Sequence, residues 1–341
     1  MTRIACFGLQ STEEAILRQL QKAGREVSFH SEGLTVKNAS QFAEVEIVNV
    51  LSYATMGEAL FSQLPKLKLV TVRATGYNQF DVAYLTRRRI PLMNSQQYCD
   101  AAVAEHALLL MLATSKKLKT TWNNSQHGVL QRDVPMMGMD LHGKTVGIWG
   151  AGTTAQHFMG ICQGLGMNIL VHNRRTKPEL TERYGATFVD FNTLLTESDV
   201  LCLMVAVTPE TQGRFNAEAF QRMKPTAYLV NVARGHLINH ADLLTALNTQ
   251  QLAGAGLDVL SDEPLFFTPH RVAQLQVDST QAVLAQQLWI QETLMRHPKV
   301  VHTPHVAFFT QEGVTRMTEQ SVENIEAFLA GQPLVRQVNP F

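Results

Sequence analysis

Short apolar segments alternate with segments of helical periodicity along most of the chain. In the first hundred residues, strand-like apolar runs cover 3–7, 45–50 and 67–72, and a helical pattern covers 13–22. Strands and helices in such succession are typical of a parallel sheet flanked by helices. The pattern therefore predicts a first domain of the α/β class.

A second series of strands begins after residue 144. An apolar-rich helix is predicted over 101–119, and the polar stretch 120–137 is interpreted as a connector. Strand-like runs then follow at 145–149, 168–172, 200–204, 227–231, 252–257 and 299–302, with a final helix at 311–329. The fold predicted is α/β, with two doubly wound parallel-sheet domains. In folds of this kind we expect the active site in the crevice between the domains.

The most specific local motif joins the strand at 145–149 to the next helix. Gly150 and Gly152 are followed by Thr153, Thr154 and Ala155, which begin the helix. Gly150 allows the tight turn, Gly152 lets a pyrophosphate approach the backbone, and the helix N-terminus attracts phosphate. Because the strand before the motif and the helix and strand after it stand in the required order, we interpret it as a dinucleotide site rather than a structural turn.

The strand at 168–172 ends where NAD-binding sequences carry an acidic residue. That residue accepts hydrogen bonds from the ribose 2′-hydroxyl, whereas basic residues accommodate a 2′-phosphate. Here His172 is followed by Asn173, Arg174 and Arg175. Two guanidiniums can bind a phosphate in bidentate fashion, and no carboxylate repels it. The segment predicts a preference for NADP(H), with NAD(H) as the second candidate; the alternative interpretation is an ordinary solvated arginine pair.

Composition narrows the class of partner. The 341 residues, 45% of them hydrophobic, suffice for two domains with separate cores. Because 29 basic residues balance 29 acidic ones without a run of like charge, we expect a small-molecule partner and neither nucleic acid nor membrane. Four cysteines without CxxC spacing favour a reducing, cytoplasmic location, and the first ten residues do not resemble an export signal.

Five further segments carry side chains of chemical interest, in an order that is informative as a set. They are 73–81, 104–107, 231–235, 256–264 and 303–305. Together with the glycine loop, and over nearly the whole chain, they resemble the D-isomer-specific 2-hydroxyacid dehydrogenases. Within that family, the segments 98–106, 265–267 and 307–310 are most similar to the D-lactate dehydrogenase branch.

The resemblance implies a catalytic triad of Arg234, Glu263 and His305. Arg234 would bind the substrate carboxylate and polarise its keto oxygen, as a permanently charged planar donor can. His305 would be the general acid in reduction and the base in oxidation, because imidazole changes its charge near neutral pH. Glu263 would hydrogen-bond His305 and favour its protonated form.

The resemblance also implies the rest of the site and the assembly. The residues it assigns to the substrate are Thr75, Gly76, Tyr77, Tyr98 and Phe309, and those it assigns to the nicotinamide side are Thr208, Ala233 and Asp258. It implies a flavodoxin-like substrate domain of residues 1–100 completed by 306–341, and a Rossmann nucleotide-binding domain of residues 101–305. A homodimer is implied through the nucleotide-binding domains.

Several of the candidate residues and segments also have other interpretations. His305 follows His297 and His302, but no cysteine or carboxylate stands at ligand spacing, so we expect no metal. Glu105 and His106 lie in a predicted core or hinge helix and need have no chemical role. The segment 269–296, rich in Gln, Leu and Ala, is predicted to be partly helical and to form either a lid or an oligomer contact.

The activity expected is hydride transfer between NAD(P)H and a small 2-keto acid to give a D-2-hydroxy acid, as in a D-lactate dehydrogenase. One alternative is an NADP-dependent glyoxylate or hydroxypyruvate reductase, which the pair Arg174 and Arg175 suits equally. The alternative from another class is a cofactor-sensing binding protein of the corepressor kind. The intact Arg234, Glu263 and His305 argue against it, because a sensor need not retain an acid–base pair.

Overall fold

In the computed structural model, two compact units divide the chain. The structure describes residues 1–52, 54–129, 132–261, 263 and 279–341. The first unit comprises Met1–Cys99 with Phe309–Phe341, and the second comprises Asp100–Phe308.

The first unit is built on a five-stranded parallel sheet of order β2-β1-β3-β4-β5. The strands are β1 (Thr2–Phe7), β2 (Arg25–His30), β3 (Ile47–Val50), β4 (Leu69–Val72) and β5 (Leu92–Met93). Its helices are α1 (Ser11–Leu17), α2 (Glu58–Phe61), α3 (Val82–Arg87) and α12 (Gln311–Leu329). This strand order is the flavodoxin-like one, as expected.

Both faces of this sheet are covered, which explains its nearly continuous apolar strands. All four residues of β3 and of β4 are buried. Successive residues of β1 enter different cores: Ile4 and Cys6 pack with Val322 and Ile325 of α12, while Ala5 and Phe7 pack in the core on the other face. The last helix of the chain therefore completes the first domain.

The second unit contains a seven-stranded parallel sheet of order β12-β11-β10-β9-β6-β7-β8. The strands are β6 (Thr145–Trp149), β7 (Asn168–His172), β8 (Thr187–Phe188), β9 (Val200–Leu203), β10 (Tyr228–Asn231), β11 (Gly254–Leu257) and β12 (Val300–His302). The helices are α4 (Asp100–Ser115), α5 (Leu118–Gln126), α6 (Thr153–Gly164), α7 (Pro178–Tyr184), α8 (Phe191–Glu197), α9 (Ala217–Arg222), α10 (His240–Asn248) and α11 (Ser279–Arg296). The order reverses between β6 and β9, the switch point at which doubly wound sheets bind nucleotides.

Two local expectations were wrong. The long helix ends at Ser115 rather than at residue 119, because Lys117 adopts a left-handed conformation with φ of 55°. The supposed connector then begins with the helix α5, which buries none of its residues. Strand β2 was not predicted, because its six residues alternate in type but are only partly buried at the sheet edge.

Of the segment 269–296, only the part from residue 279 onward is described, and it forms α11. The sequence similarity noted at 265–267 lies outside the described residues. In the part of the chain that the structure describes, no helix is long and apolar enough to cross a membrane.

Candidate active site

The glycine loop has the geometry that a dinucleotide requires. Gly150 has a φ of 117°, and a Cβ built on it would lie 2.3 Å from the Met204 carbonyl oxygen, so only glycine fits. Gly152 begins α6 without a side-chain cap, and a Cβ there would meet nothing within 4 Å. The space beside Gly152, where α6 begins, is thus open, as a pyrophosphate site needs.

Two side chains brace this loop. Thr154 donates its hydroxyl proton to Asp100 of α4, with 2.6 Å between the oxygens. Lys177 donates to the carbonyl oxygen of Ala151 at 2.8 Å, a contact that sequence analysis missed. Lys177 follows the arginine pair in sequence, and that position was the available signal.

The arginine pair stands at the carboxyl end of β7. Asn173 donates from Nδ2 to the carbonyl oxygen of Arg175 at 2.8 Å, which closes the turn. Arg174 and Arg175 are exposed, and among the described residues their guanidiniums form no hydrogen bond or ion pair. Two cations therefore face solvent at the end of β7, the strand that pairs with β6, which leads into the glycine loop.

Thr208 lies in the loop after β9. Its hydroxyl donates to Glu210 at 2.7 Å, and this hydrogen bond is the main reason that the pKa of Glu210 lies below its usual value. The positive charge of Arg174 contributes to the same lowering of the pKa. The charge of Arg174, in the loop after β7, therefore acts on Glu210, in the loop after β9.

Glu263 and His305 are joined by a short hydrogen bond. Oε2 of Glu263 lies 2.5 Å from Nδ1 of His305, and Oε1 accepts from the main-chain N–H of Leu260 at 2.9 Å. Both carboxylate oxygens are thereby oriented, and both side chains are only partly exposed. The pair has the arrangement of an imidazole acid–base group held by a carboxylate.

Asp258 organises the loop that carries His305. Its carboxylate is 1% exposed and accepts from the hydroxyl of Thr303 at 2.6 Å and from the main-chain N–H groups of Val306 and Ala307, each at 3.0 Å. Burial alone would raise its pKa, but these bonds and one from His106 bring the pKa of Asp258 below its usual value. Its carboxylate is therefore charged and committed to the loop, and its expected place beside the nicotinamide stays a prediction.

Arg234 follows β10 in a loop that packs directly on the segment before Glu263. Asn231 donates to the carbonyl oxygen of Arg234 at 2.9 Å and accepts from the N–H of Ala233 at 3.0 Å. A Cβ on Gly235 would lie 2.0 Å from the carbonyl carbon of Leu260, so glycine is what permits this close approach. The loops of Arg234 and Glu263 are in contact, while Arg234 itself is half-buried.

A cavity of about 330 Å³ lies against the Glu263–His305 pair. Its other lining residues are Asp258, Leu260, Met295, His302 and Pro304. Burial lowers the pKa of His302, although the charges of Asp258 and Glu263 oppose that effect. Among the described residues no group of three His, Cys, Asp or Glu side chains could hold a metal ion.

The expected substrate residues all lie in the first unit. Thr75, Gly76 and Tyr77 follow β4, and the Thr75 carbonyl accepts from Nδ2 of Asn94 at 2.9 Å. Asn94 was not predicted, because no local pattern in the sequence marks it. Tyr98 is only 5% exposed, whereas Phe309 is 47% exposed, so the two aromatic residues occupy different environments.

Comparisons with known proteins agree with this geometry. Residues 108–307 match the model of the D-isomer specific 2-hydroxyacid dehydrogenase, NAD binding domain. The chain is 33% identical over 310 residues to a glyoxylate/hydroxypyruvate reductase B of Shigella boydii, covering 89% of this chain and 87% of that one. It is 32% identical over 297 residues to a glyoxylate reductase of Thermococcus litoralis, with 85% and 82% covered.

Solved structures give the same result for the fold. The chain is similar to D-lactate dehydrogenase with NAD+ from Lactobacillus jensenii, with a TM-score of 0.80 and 26% identity over 99% of this chain and 100% of that one. The family model spans the glycine loop and the Arg234, Glu263 and His305 segments. The chain therefore belongs to the family of D-isomer specific 2-hydroxyacid dehydrogenases and is an oxidoreductase that uses a nicotinamide cofactor.

Proposed function

We propose that the chain reduces a small 2-keto acid to a D-2-hydroxy acid, with Arg234, Glu263 and His305 as the catalytic residues. The observation that carries the proposal is the 2.5 Å hydrogen bond between Glu263 and Nδ1 of His305, with Glu263 anchored on the Leu260 N–H. When bound, the nicotinamide supplies hydride to the keto carbon. His305 delivers a proton from Nε2 to the keto oxygen, and the product is an alcohol.

Arg234 binds the carboxylate and polarises the keto oxygen. Its Nη1 donates to the Ala233 carbonyl at 2.7 Å, which fixes one edge of the guanidinium. A guanidinium has five N–H donors, so the substrate can still be held in bidentate fashion. The contact between Gly235 and Leu260 supports the placement of Arg234 beside the acid–base pair.

The first unit supplies the remaining substrate contacts. The main-chain N–H groups of Thr75 and Gly76 form a carboxylate cradle, and the Asn94 bond to Thr75 supports its fixed geometry. Tyr77 and Phe309 are exposed enough to meet a ligand, and Tyr98 shapes the pocket from within the unit.

The nucleotide binds at the switch point of the second unit. The pyrophosphate site is formed by Gly150, Gly152, Thr153 and Thr154. Because the hydroxyl proton of Thr154 is donated to Asp100, Thr154 contributes its main-chain N–H to the phosphates. Thr208, Ala233 and Asp258 lie toward the nicotinamide. These assignments rest on the open space before α6 and on the family's shared motif.

NADP(H) is the preferred nucleotide. The support is chemical: Asn173 shapes the turn, no carboxylate stands at the end of β7, and Arg174 and Arg175 present exposed guanidiniums. NAD(H) is the weaker alternative cofactor.

The substrate is pyruvate or another small 2-keto acid. The similarity to the Lactobacillus jensenii structure supports a D-lactate dehydrogenase, whereas the names of the bacterial and archaeal relatives support glyoxylate or hydroxypyruvate reduction. The second activity is a genuine rival because the arginine pair suits an NADPH-dependent reductase.

Initial rates with pyruvate, glyoxylate, hydroxypyruvate and phenylpyruvate, each with NADPH and with NADH, test the proposal. We expect measurable turnover of at least one keto acid and higher kcat/KM with NADPH. A protein that binds NADPH but reduces none of them, and whose Arg234→Ala variant binds identically, would be a cofactor sensor instead.

The protein is a cytoplasmic homodimer. Large apolar side chains are exposed on one stretch of the second unit that includes α4, α5 and the segment after α5; they are Leu109, Leu112, Leu118, Trp122, Val129, Val134 and Met137. Such a concentration marks a protein interface. The four cysteines, scattered along the chain without CxxC spacing, support a reducing compartment.

A further inference from the structure

The catalytic imidazole sits on a strained main chain. His305 has a φ of 54°, a left-handed conformation that non-glycine residues rarely adopt. Its N–H donates to the carbonyl oxygens of Asp258 at 2.8 Å and of Thr303 at 3.0 Å. Such a conformation persists only where surrounding contacts impose it. The contacts that hold this loop therefore determine where the imidazole points.

One of those contacts reaches the loop from a helix remote in sequence. Nε2 of His106, on α4, lies 2.8 Å from Oγ1 of Thr303 and 3.3 Å from Oδ1 of Asp258. The His106 side chain is 12% exposed, and α4 packs against β10, β11 and β12. The three side chains form a closed triangle beneath the His305 loop.

The number of protons available determines which member of the triangle donates and which accepts. The single hydroxyl proton of Thr303 goes to the Asp258 carboxylate at 2.6 Å. Thr303 can then only accept from His106, so Nε2 of His106 bears a proton. The single N–H at Nε2 of His106 is therefore shared between the hydroxyl that starts the loop, at 2.8 Å, and the buried carboxylate of Asp258, at 3.3 Å.

We propose that His106 is a positioning residue for catalysis: by donating to Thr303 and Asp258 it holds the 303–307 loop in the conformation that presents His305 to Glu263. This inference rests on the proposed function, because it assigns His305 as the proton donor. The inference assigns a role to His106, which the sequence pattern predicted only to lie in a core or hinge helix.

Paired substitutions test the role of the N–H donor. His106→Leu removes the donor, whereas His106→Gln keeps an N–H near the position of Nε2. We expect His106→Leu to lower kcat by about ten- to a hundred-fold, the effect of losing a bond to a charged group or of a displacement near 1 Å. KM for the keto acid and the dissociation constant for NADPH should change by less than about two-fold. His106→Gln should recover most of kcat.

Controls separate positioning from general damage. Glu105→Gln changes the exposed neighbour on α4 and should leave kcat, NADPH binding and the melting temperature unchanged. The proposal fails if His106→Leu keeps wild-type kcat or if His106→Gln has the same kcat as His106→Leu. It also fails if kcat, NADPH affinity and melting temperature of His106→Leu all fall together.

A proton NMR measurement is independent of turnover. The short His305–Glu263 hydrogen bond should give a strongly downfield proton resonance in the wild type and in His106→Gln, and that resonance should shift or vanish in His106→Leu. If no keto acid is reduced but the resonance follows this order, the proposed function is wrong and the positioning role stands. An unchanged resonance in His106→Leu would overturn the positioning role.

Discussion

The Glu263 carboxylate is held at both oxygens, one by the Leu260 N–H and the other by the imidazole of His305. A carboxylate fixed in this way limits the rotation of the imidazole and keeps Nδ1 as its hydrogen-bonded nitrogen. Proton exchange with a substrate then falls to Nε2. At the scale of single residues, the chemistry depends on this pair.

Substituting either member of the pair should remove catalysis without removing nucleotide binding. His305→Gln is expected to lower kcat/KM by about 10²- to 10⁴-fold, because proton transfer is lost. Glu263→Gln is expected to have a smaller effect, about 10- to 10³-fold, because an amide still accepts a hydrogen bond but carries no charge. Steady-state kinetics and fluorescence titration with NADPH measure the two properties separately.

His157→Gln, at an exposed position of α6, is the control and should behave as wild type. If His305→Gln retained more than about a tenth of the wild-type kcat/KM, general acid catalysis by this residue would be wrong.

Single positions differ in how far sequence could identify them. The segments around Arg234, Glu263 and His305 could be singled out because their residue types and order match a family motif. The left-handed backbone of His305 could not, because it is imposed by Asp258 from another strand. Lys177 and Asn94 each contact a carbonyl oxygen far away in sequence, and only Lys177, by its position after the arginine pair, left a signal in the sequence.

At the scale of elements, the turn between β6 and α6 contains two glycines with different roles. Gly150→Ala should destabilise the protein by about 2–4 kcal/mol. The backbone at this position has a φ of 117°, which residues with a side chain rarely adopt, and the added Cβ would collide with the Met204 carbonyl. Gly152→Ala should leave stability unchanged within about 0.5 kcal/mol, because its Cβ meets open space. It should nevertheless weaken NADPH binding by about ten-fold or more, because that space is the pyrophosphate site. Urea unfolding and NADPH titration measure these effects; full affinity in Gly152→Ala would place the phosphates elsewhere.

The turn after β7 should determine the choice of nucleotide. Asn173→Asp combined with Arg174→Ala and Arg175→Ala supplies an acceptor for the ribose hydroxyls and removes both cations. We expect the ratio of kcat/KM with NADPH to that with NADH to fall by about 10²-fold or more, as the loss of charge-assisted bonds to a phosphate predicts. The variant Arg222→Ala, which removes an exposed arginine of α9, is the control for charge alone. An unchanged ratio in the triple variant would refute the phosphate interpretation.

Elements with a buried face were predictable, and exposed ones were not. The bounds of β6, β7 and α12 agree with the sequence patterns because each has buried positions at regular spacing. The helix α5 buries nothing, and β2 is a half-buried edge strand, so neither is marked by a strongly apolar segment in the sequence.

At the scale of the whole molecule, the two ends of the chain are joined within the first unit. Glu326 of α12 accepts from Arg25 of β2 at 2.7 and 2.9 Å and from Lys22 at 2.9 Å. The hydrogen bond from Arg25 is the largest cause that lowers the pKa of Glu326 to about 2. This ion pair links the segment from residue 309 onward to the N-terminal sheet.

Glu326→Gln should make the first unit less stable at neutral pH. Because the folded-state pKa is depressed, the carboxylate stabilises the fold above the unfolded-state pKa of about 4.3, and this contribution disappears as the pH falls toward 2. With the side chain still 30% exposed, we expect a loss of about 1–2 kcal/mol at pH 7, less than the full shift in pKa would give. Urea unfolding from pH 7 to pH 2 should show the difference from wild type closing below pH 5.

Glu323→Gln removes the more exposed partner of Arg336 and is the matched control. Its effect should stay below about 1 kcal/mol. A difference between wild type and Glu326→Gln that did not depend on pH would contradict the proposed linkage.

Direct hydride transfer with fixed stereochemistry is the most immediate test of the proposed reaction. The wild-type enzyme should be given pyruvate or hydroxypyruvate with NADPH deuterated at C4 on one face and then on the other, and the product analysed by mass spectrometry and chiral chromatography. We predict that one of the two labelled nucleotides transfers deuterium to C2 and that the product is the D-isomer. A product with only protium at C2 from both labels, or an L or racemic product, would contradict a site in which Arg234 and His305 fix the keto acid against the nicotinamide.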